Sequence, residues 1–258
     1  MDDAAPVSVT PLPPALLAEL RDGRGTPGLL VAGGSFDPPH EAHVRLCETA
    51  RRSWLAAPDA PPRAWLIFVP AARSPFKHES PAAGDQERVE MLRLATGQIE
   101  RSVIWTDELD RARLAQTAGA PSAPSYTIDT LTRLAHAAGG PGAKHPVPLR
   151  LVIGSDQAAR LHEWKSPREI LNLAPPIVLG RAPLATRASL RQALAGTGFW
   201  DAADADRIAG ALVEHPPMEH AASDIRAALR GGRWNDVERL LNGRVIEFIR
   251  SKGLYLRP

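Results

Sequence analysis

The sequence predicts an α/β fold: an open parallel sheet of about five to six strands, helices on both faces, and a small C-terminal helical part. Three observations point there. Apolar runs of four to eight residues recur along the chain, and stretches with helical spacing separate them. Runs of that length, buried on both sides, suit parallel strands joined by helical crossovers. The first run ends in a glycine pair, as a strand-to-helix turn requires.

The elements follow in order. "LLVAGG" (29–34) reads as the first strand and leads to a helix from about His40 to Leu55. "RAWLIFVP" (63–70) is the second strand, and Asp85 to about Thr96 is the next helix. "SVIWT" (102–106), "LRLVIG" (149–154) and "PIVLG" (176–180) are further strands, and "SYTIDTLTRLAHAA" (125–138) is helical between them. A helix near Pro167 carries its own start signal, with Ser166 as cap, Pro167 in the first turn and Glu169 at the capping-box position. The inserts at 56–62, 115–124 and 139–148 are rich in Pro, Gly and Ala and read as surface loops. Residues 1–26 read as a flexible or loosely docked extension holding one possible short helix, and residues 27–258 as a single unit whose last part, about 221–258, is helical.

Bulk composition narrows the function. Lys and Arg number 31 against 29 Asp and Glu, a net charge of +2 without clusters, so no nucleic-acid partner is expected. No run approaches the ~18 apolar residues of a membrane span, so no membrane is expected either. The single cysteine, Cys47, excludes an intrachain disulfide and a thiolate-rich metal site, and a reducing cytoplasm is the expected location.

The densest chemistry lies in "GGSFDPPHEAH" (33–43). Gly33 and Gly34 allow close approach of the backbone to a ligand, and the following helix aims N–H groups and a positive dipole end at it. The spacing is neither G-x-G-x-x-G nor a P-loop. His40 and His43, three apart, share one face of the helix's first turn, where imidazole donors could neutralise a phosphate. A zinc pair is the alternative; helix-borne zinc histidines sit four apart and no further ligand stands out, so no protein metal site is expected. Cys47 belongs with Val44, Ala50 and Trp54 on a core-facing stripe, and Trp65 and Trp105 also read as core.

This stretch resembles the G-G-[ST]-F-D-P-x-H-x-G-H signature of a nucleotidyltransferase superfamily whose fold is Rossmann-like. The likeness extends in series from about 28 to 256 to one family, the nicotinate-nucleotide adenylyltransferases of bacterial type. "FVPAARSPFKHE", "PSYTIDTL", "VIGSDQAARLHEWKSPREIL", "VLGRAP", "AASDIRAAL" and "VIEFIRSKGLY" each resemble a segment of that family.

The resemblance implies adenylyl transfer from ATP, its Mg2+ carried on the phosphates, to nicotinate mononucleotide, giving deamido-NAD and pyrophosphate. His43 would meet the ATP phosphates with His40 beside it, Lys77 would neutralise phosphate charge, and Arg226 with Ser223 and Ile225 would hold the pyrophosphate side. Gly33, Gly34 and the backbone of Ser35 and Phe36 would lie against both substrates, and Gly154 and Asp156 against ribose and adenine. Thr127, Trp164 and Arg181 would take the nicotinate nucleotide, Trp164 by stacking.

The chain departs from the pattern at four positions. Ala42 replaces a glycine, predicting a methyl that crowds the nucleotide; Phe76 replaces a loop histidine; Ala221 replaces a serine and Ser223 a threonine. Residues 182–217 match poorly, so a different cap over the site is expected there. Two other readings stay open: the same chemistry on nicotinamide mononucleotide or another phosphorylated acceptor, and a nucleotide-binding protein that has lost catalysis.

Overall fold

The computed structural model describes residues 10–22, 24–73, 80–120, 124–139, 146–216 and 221–256. Lys77 and Phe76 lie outside the described residues. The chain begins with α1 (Pro14–Arg21), β1 (Gly28–Gly34), α2 (Glu41–Leu55), β2 (Ala64–Pro70) and α3 (Asp85–Thr96). β3 (Ser102–Ile104), α4 (Asp107–Thr117), α5 (Thr127–Ala137) and β4 (Leu149–Gly154) follow. Next come α6 (Ser155–Ala159), a 3-10 turn at Leu161–Glu163, α7 (Pro167–Leu173) and β5 (Pro176–Leu179). The last third holds α8 (Arg187–Gly196), α9 (Ala202–Gly210), β6 (Leu212–Val213), α10 (Ala222–Arg230), α11 (Trp234–Val237) and α12 (Gly243–Lys252).

The six strands pair in parallel in the order β3-β2-β1-β4-β5-β6. That order reverses direction between β1 and β4, and an open α/β sheet offers its ligand crevice beyond the strand ends at such a point. The expected parallel α/β sheet is therefore present.

Two-residue alternation sends the strands' side chains to opposite faces, and both faces are buried. Leu29, Val31, Ile67, Val69, Leu151, Ile153 and Val178 join one apolar cluster with α5, α7, α8 and α9. Leu30, Ala32, Leu66, Phe68, Val152, Ile177 and Leu179 join another with Leu46, Cys47, Ala50 and Trp54 of α2. A third cluster, including Met91, Ile225, Leu229, Val245 and Ile249, packs α3 against α10–α12.

One local expectation differs from what is observed. Ser166 sits in the left-handed region (φ 50°) and its side chain makes no cap bond, because that backbone turns the hydroxyl away from the extended geometry a cap needs. Pro167 does stand in the first turn. Of the segment read as a flexible or loosely docked extension, residues 10–22 pack against the sheet. Leu12 and Leu16, four apart, are buried in the first cluster, and Glu19 bonds to Arg63, Trp65 and Arg101.

Candidate functional site

A cleft of about 520 Å3 opens beyond the C-terminal ends of β1 and β4. It gathers residues from six segments: Gly33, Gly34, Ser35 and Phe36 at the end of β1 and just after it, His43 on α2, Thr127 on α5, Gly154 and Asp156 where β4 passes into α6, Trp164 after the 3-10 turn and Arg181 after β5. Ten residues singled out in the sequence thus share one cavity.

The β1–α2 turn owes its shape to steric and polar constraints. A Cβ on Gly34 would sit 3.2 Å from the Phe36 ring, so the ring folds over a bare backbone. A Cβ on Gly33 would meet no protein atom within 4 Å; Gly33 lines the cleft, and a side chain there would take ligand space. Phe36 holds φ at 49°, a left-handed conformation that costs a non-glycine residue about 1 kcal/mol or more. Its buried ring stands edge-on to His43 and to Phe68, at 5.3 and 6.1 Å between centroids, and packing holds the strained backbone.

The two histidines divide their work. The backbone N–H of His40 donates to Nδ1 of His43 at 3.2 Å. The proton of the neutral His43 ring is therefore on Nε2, which makes that nitrogen a donor. His40 is buried, does not line the cleft, and stacks on His43 with ring centroids 3.7 Å apart.

Beneath the turn lies a network that sequence reasoning missed. Arg88 of α3 is fully buried and donates from Nη1 to the Ser35 carbonyl (2.7 Å) and from Nη2 to Asp85 (2.6 Å). Asp37 is buried as well. Its carboxylate accepts from the N–H groups of Ala82 (2.8 Å) and Ala83 (3.0 Å) and from the Tyr255 hydroxyl (2.8 Å). Arg88 had a legible signal: it shares the apolar face of α3 with Met91 and Leu92, three and four residues on. A charge on such a stripe calls for a buried partner.

Arg226 does not line the cleft. Its Nη1 donates to the Asp37 carbonyl at 2.7 Å and lies 3.6 Å from the carboxylate. Ile225 buries its side chain in the third cluster, leaving only its backbone to meet a ligand. Ser223 is exposed in the first turn of α10 and is not the cap; that position falls to Ala221, which has no side-chain acceptor. Asp224 still accepts from the Ala221 N–H at 3.2 Å.

At the far side of the cleft, Glu108 of α4 is buried and accepts from the Thr130 hydroxyl at 2.6 Å. The Ser125 hydroxyl and the Ala72 N–H also bond to it; burial nevertheless pushes its carboxyl above the usual range. Around β4, buried Ser155 accepts from the Arg181 N–H at 2.8 Å. Gly154 lets Asp156 fold back, since a Cβ there would lie 2.4 Å from the Asp156 carboxylate. Cys47 is a core residue whose thiol burial pushes up to about 12. Among the described residues no group of three or more His, Cys, Asp or Glu could hold a metal ion. No helix among them is long and apolar enough to cross a membrane.

The same residues 31–228 match the model of the cytidylyltransferase-like family. A probable nicotinate-nucleotide adenylyltransferase of Acidithiobacillus ferrooxidans is 32% identical over 237 residues, covering 89% of this chain and 96% of that protein. The chain belongs to the cytidylyltransferase-like family, in its nicotinate-nucleotide adenylyltransferase branch. A relative of the same name in Stenotrophomonas maltophilia is also 32% identical, over 88% of this chain and 96% of its own. Among solved structures, the Plasmodium falciparum nicotinic acid mononucleotide adenylyltransferase complexed with NaAD shares the fold, with a TM-score of 0.59 at 17% identity over 89% of this chain and 97% of that one.

Ala42, where the family's signature has glycine, packs against the second apolar cluster and is not among the residues lining the cleft; Leu46, one turn on, is.

Proposed function

We propose that this nucleotidyltransferase transfers the adenylyl group of ATP to nicotinate mononucleotide, forming deamido-NAD and pyrophosphate in NAD biosynthesis in the cytoplasm. The observation that carries the reading is the single cleft with a donor turn at one end and an aromatic wall at the other. A phosphate chain suits the turn, whose Ser35 and Phe36 line the cleft together with His43; a flat pyridine ring suits Trp164, which lines the same cleft as Thr127. The names of the relatives supply the pair of substrates.

In the reaction, an acceptor phosphate oxygen attacks the α-phosphorus of ATP. The new P–O bond forms as the bond to the bridging oxygen of pyrophosphate breaks, and the electron pair leaves with pyrophosphate. The attacking group is already anionic, so catalysis is positioning and charge stabilisation. On this reading His43 donates to the ATP phosphates, the Ser35 and Phe36 backbone lies between the substrates, and Gly154 and Asp156 meet the adenosine. Arg226, with Ser223 and the Ile225 backbone, holds the leaving pyrophosphate, and Lys77 adds a point charge. Trp164, Thr127 and Arg181 hold the acceptor. Mg2+ arrives on the ATP phosphates and neutralises them; no side chain is assigned to it.

The test is pyrophosphate release with ATP and Mg2+ against nicotinate mononucleotide, nicotinamide mononucleotide, phosphopantetheine and a sugar phosphate. Turnover with nicotinate mononucleotide at the highest kcat/KM is expected. A preference for another acceptor, or ATP binding without turnover, would overturn the reading.

A further inference from the structure

The closing segment "GLY" (253–255) belongs to a stretch whose place in the chemistry the cleft does not explain. Tyr255 is buried, stands in a left-handed conformation (φ 63°) just beyond the Gly253 cap of α12, and aims its hydroxyl at Asp37 Oδ1 from 218 residues away. Two more bonds join the C-terminal helices to the same short stretch. The Leu240 carbonyl, between α11 and α12, accepts the N–H of Glu41 at 2.8 Å, and Arg226 of α10 donates to the Asp37 carbonyl. The stretch 37–41 is therefore gripped three times, immediately before His43.

We infer that Tyr255 is a positioning residue for adenylyl transfer: its hydroxyl fixes Asp37, and Asp37 in turn sets the Arg226 guanidinium and the approach of the turn to His43. The inference rests on the adenylyl-transfer reading. Tyr255 does not line the cleft, and its hydroxyl bonds to Asp37, so its action runs through Asp37.

The chemistry of the node supports this. The Asp37 carboxylate has three N–H or O–H donors aimed at it from two distant segments, Ala82–Ala83 and Tyr255, and its carbonyl faces Arg226. Three bonds to the carboxylate leave it a single orientation, and the fourth holds the Asp37 backbone. Burial, with the Asp37 charge beside it, pushes the Tyr255 phenol far above its ordinary range, so the hydroxyl stays protonated and donates throughout the working pH range. A phenylalanine would keep the ring and its packing and lose only the directional bond. Remote positioning contacts of this type show up in kcat, since small misplacements of reacting groups are costly.

The test is steady-state kinetics on the full chain with ATP and nicotinate mononucleotide, with thermal melts of each variant. Tyr255→Phe is expected to lower kcat about tenfold while the KM for nicotinate mononucleotide stays within about twofold. Arg226→Lys lowers kcat by itself, and adding Tyr255→Phe to it should cost little more, because both act through the same guanidinium. Met91→Leu alters packing at the same hydroxyl (Sδ 3.9 Å from it) without touching Asp37, and should keep the wild-type kcat. Should Tyr255→Phe fail to fold, Asp37→Asn keeps an acceptor for the hydroxyl and removes the charge beside Arg226, and it should show the same selective loss of kcat. A wild-type kcat in the tested variant, multiplicative losses in the double variant, or an equal loss in Met91→Leu would overturn the inference. Wild-type protein that turns over no nicotinate mononucleotide would instead overturn the reading it rests on.

Discussion

Two helical additions flank the sheet, and they are attached in opposite ways. The first, α8 and α9 with β6, is held by apolar burial: Leu190, Leu194, Trp200, Ala205 and Ile208 enter the first cluster. Its ion pairs Arg191 with Asp206 and Arg168 with Asp204 are exposed, the Arg168 guanidinium also lying over the Phe199 and Trp200 rings, while Arg207 donates to the Leu171 carbonyl at 2.8 Å. The second, α10–α12, has an apolar cluster shared with α3 and reaches the β1–α2 turn through bonds with defined directions. Burial fixes that an element stays attached; hydrogen bonds in a water-poor place fix where its atoms point. The second addition is therefore tied to the β1–α2 turn by directed bonds, and the first to the sheet by burial.

Mutations can break or sharpen this contrast. The largest effect belongs to the turn itself: His43→Ala should lower kcat by about 10²–10³, the usual loss on removing a donor to developing charge, with an unchanged fold by circular dichroism. One step beneath, Arg88→Met leaves the Ser35 carbonyl without its buried donor. A loss of about 2 kcal/mol in denaturant melts is expected, together with a kcat lowered about tenfold. Ala221→Ser should complete the α10 cap with Asp224 and raise stability by about 1 kcal/mol, a gain confined to the second addition. Ala42→Gly should cost about 0.5–1 kcal/mol of helix stability and leave the KM for ATP unchanged; a lowered KM would show the methyl reaching the nucleotide after all. Smallest of all, Arg191→Ala should change neither kcat nor the melting temperature measurably, since exposed ion pairs of this kind contribute little. If Arg191→Ala lowered kcat, the contrast between the two additions would fail.

The sheet was legible because its signal is local. "AWLIFVP" is apolar at every position and is buried at every position, and "GLLVAGG" ends in the glycines that its turn needs. The α3 bounds, Asp85 to Thr96, agree with the helical spacing. The cleft lining was legible to the extent that its residues lie in strand-end turns with distinctive composition, such as Gly33 to Phe36. Long-range pairing was not. Nothing near Asp37 announces that a hydroxyl 218 residues later will bond to it. Glu108 reads as one more acid at a helix start until folding brings Thr130 against it. β6 is two residues long, too short for any alternation to register. The docking of residues 10–22 was half legible: the short helix could be read locally, but Trp65 and Trp105, which bond to Glu19 and Thr10, lie far along the chain.

That docking turns two tryptophans into built-in optical reporters. The Trp105 indole N–H donates to the Thr10 carbonyl at 3.0 Å, and the Trp65 indole to Glu19 at 3.2 Å. Neither ring lines the cleft, and lifting residues 10–22 off the sheet would bring water to both. The emission of the unlabelled protein, to which all six tryptophans contribute, therefore includes a part that reports on this segment.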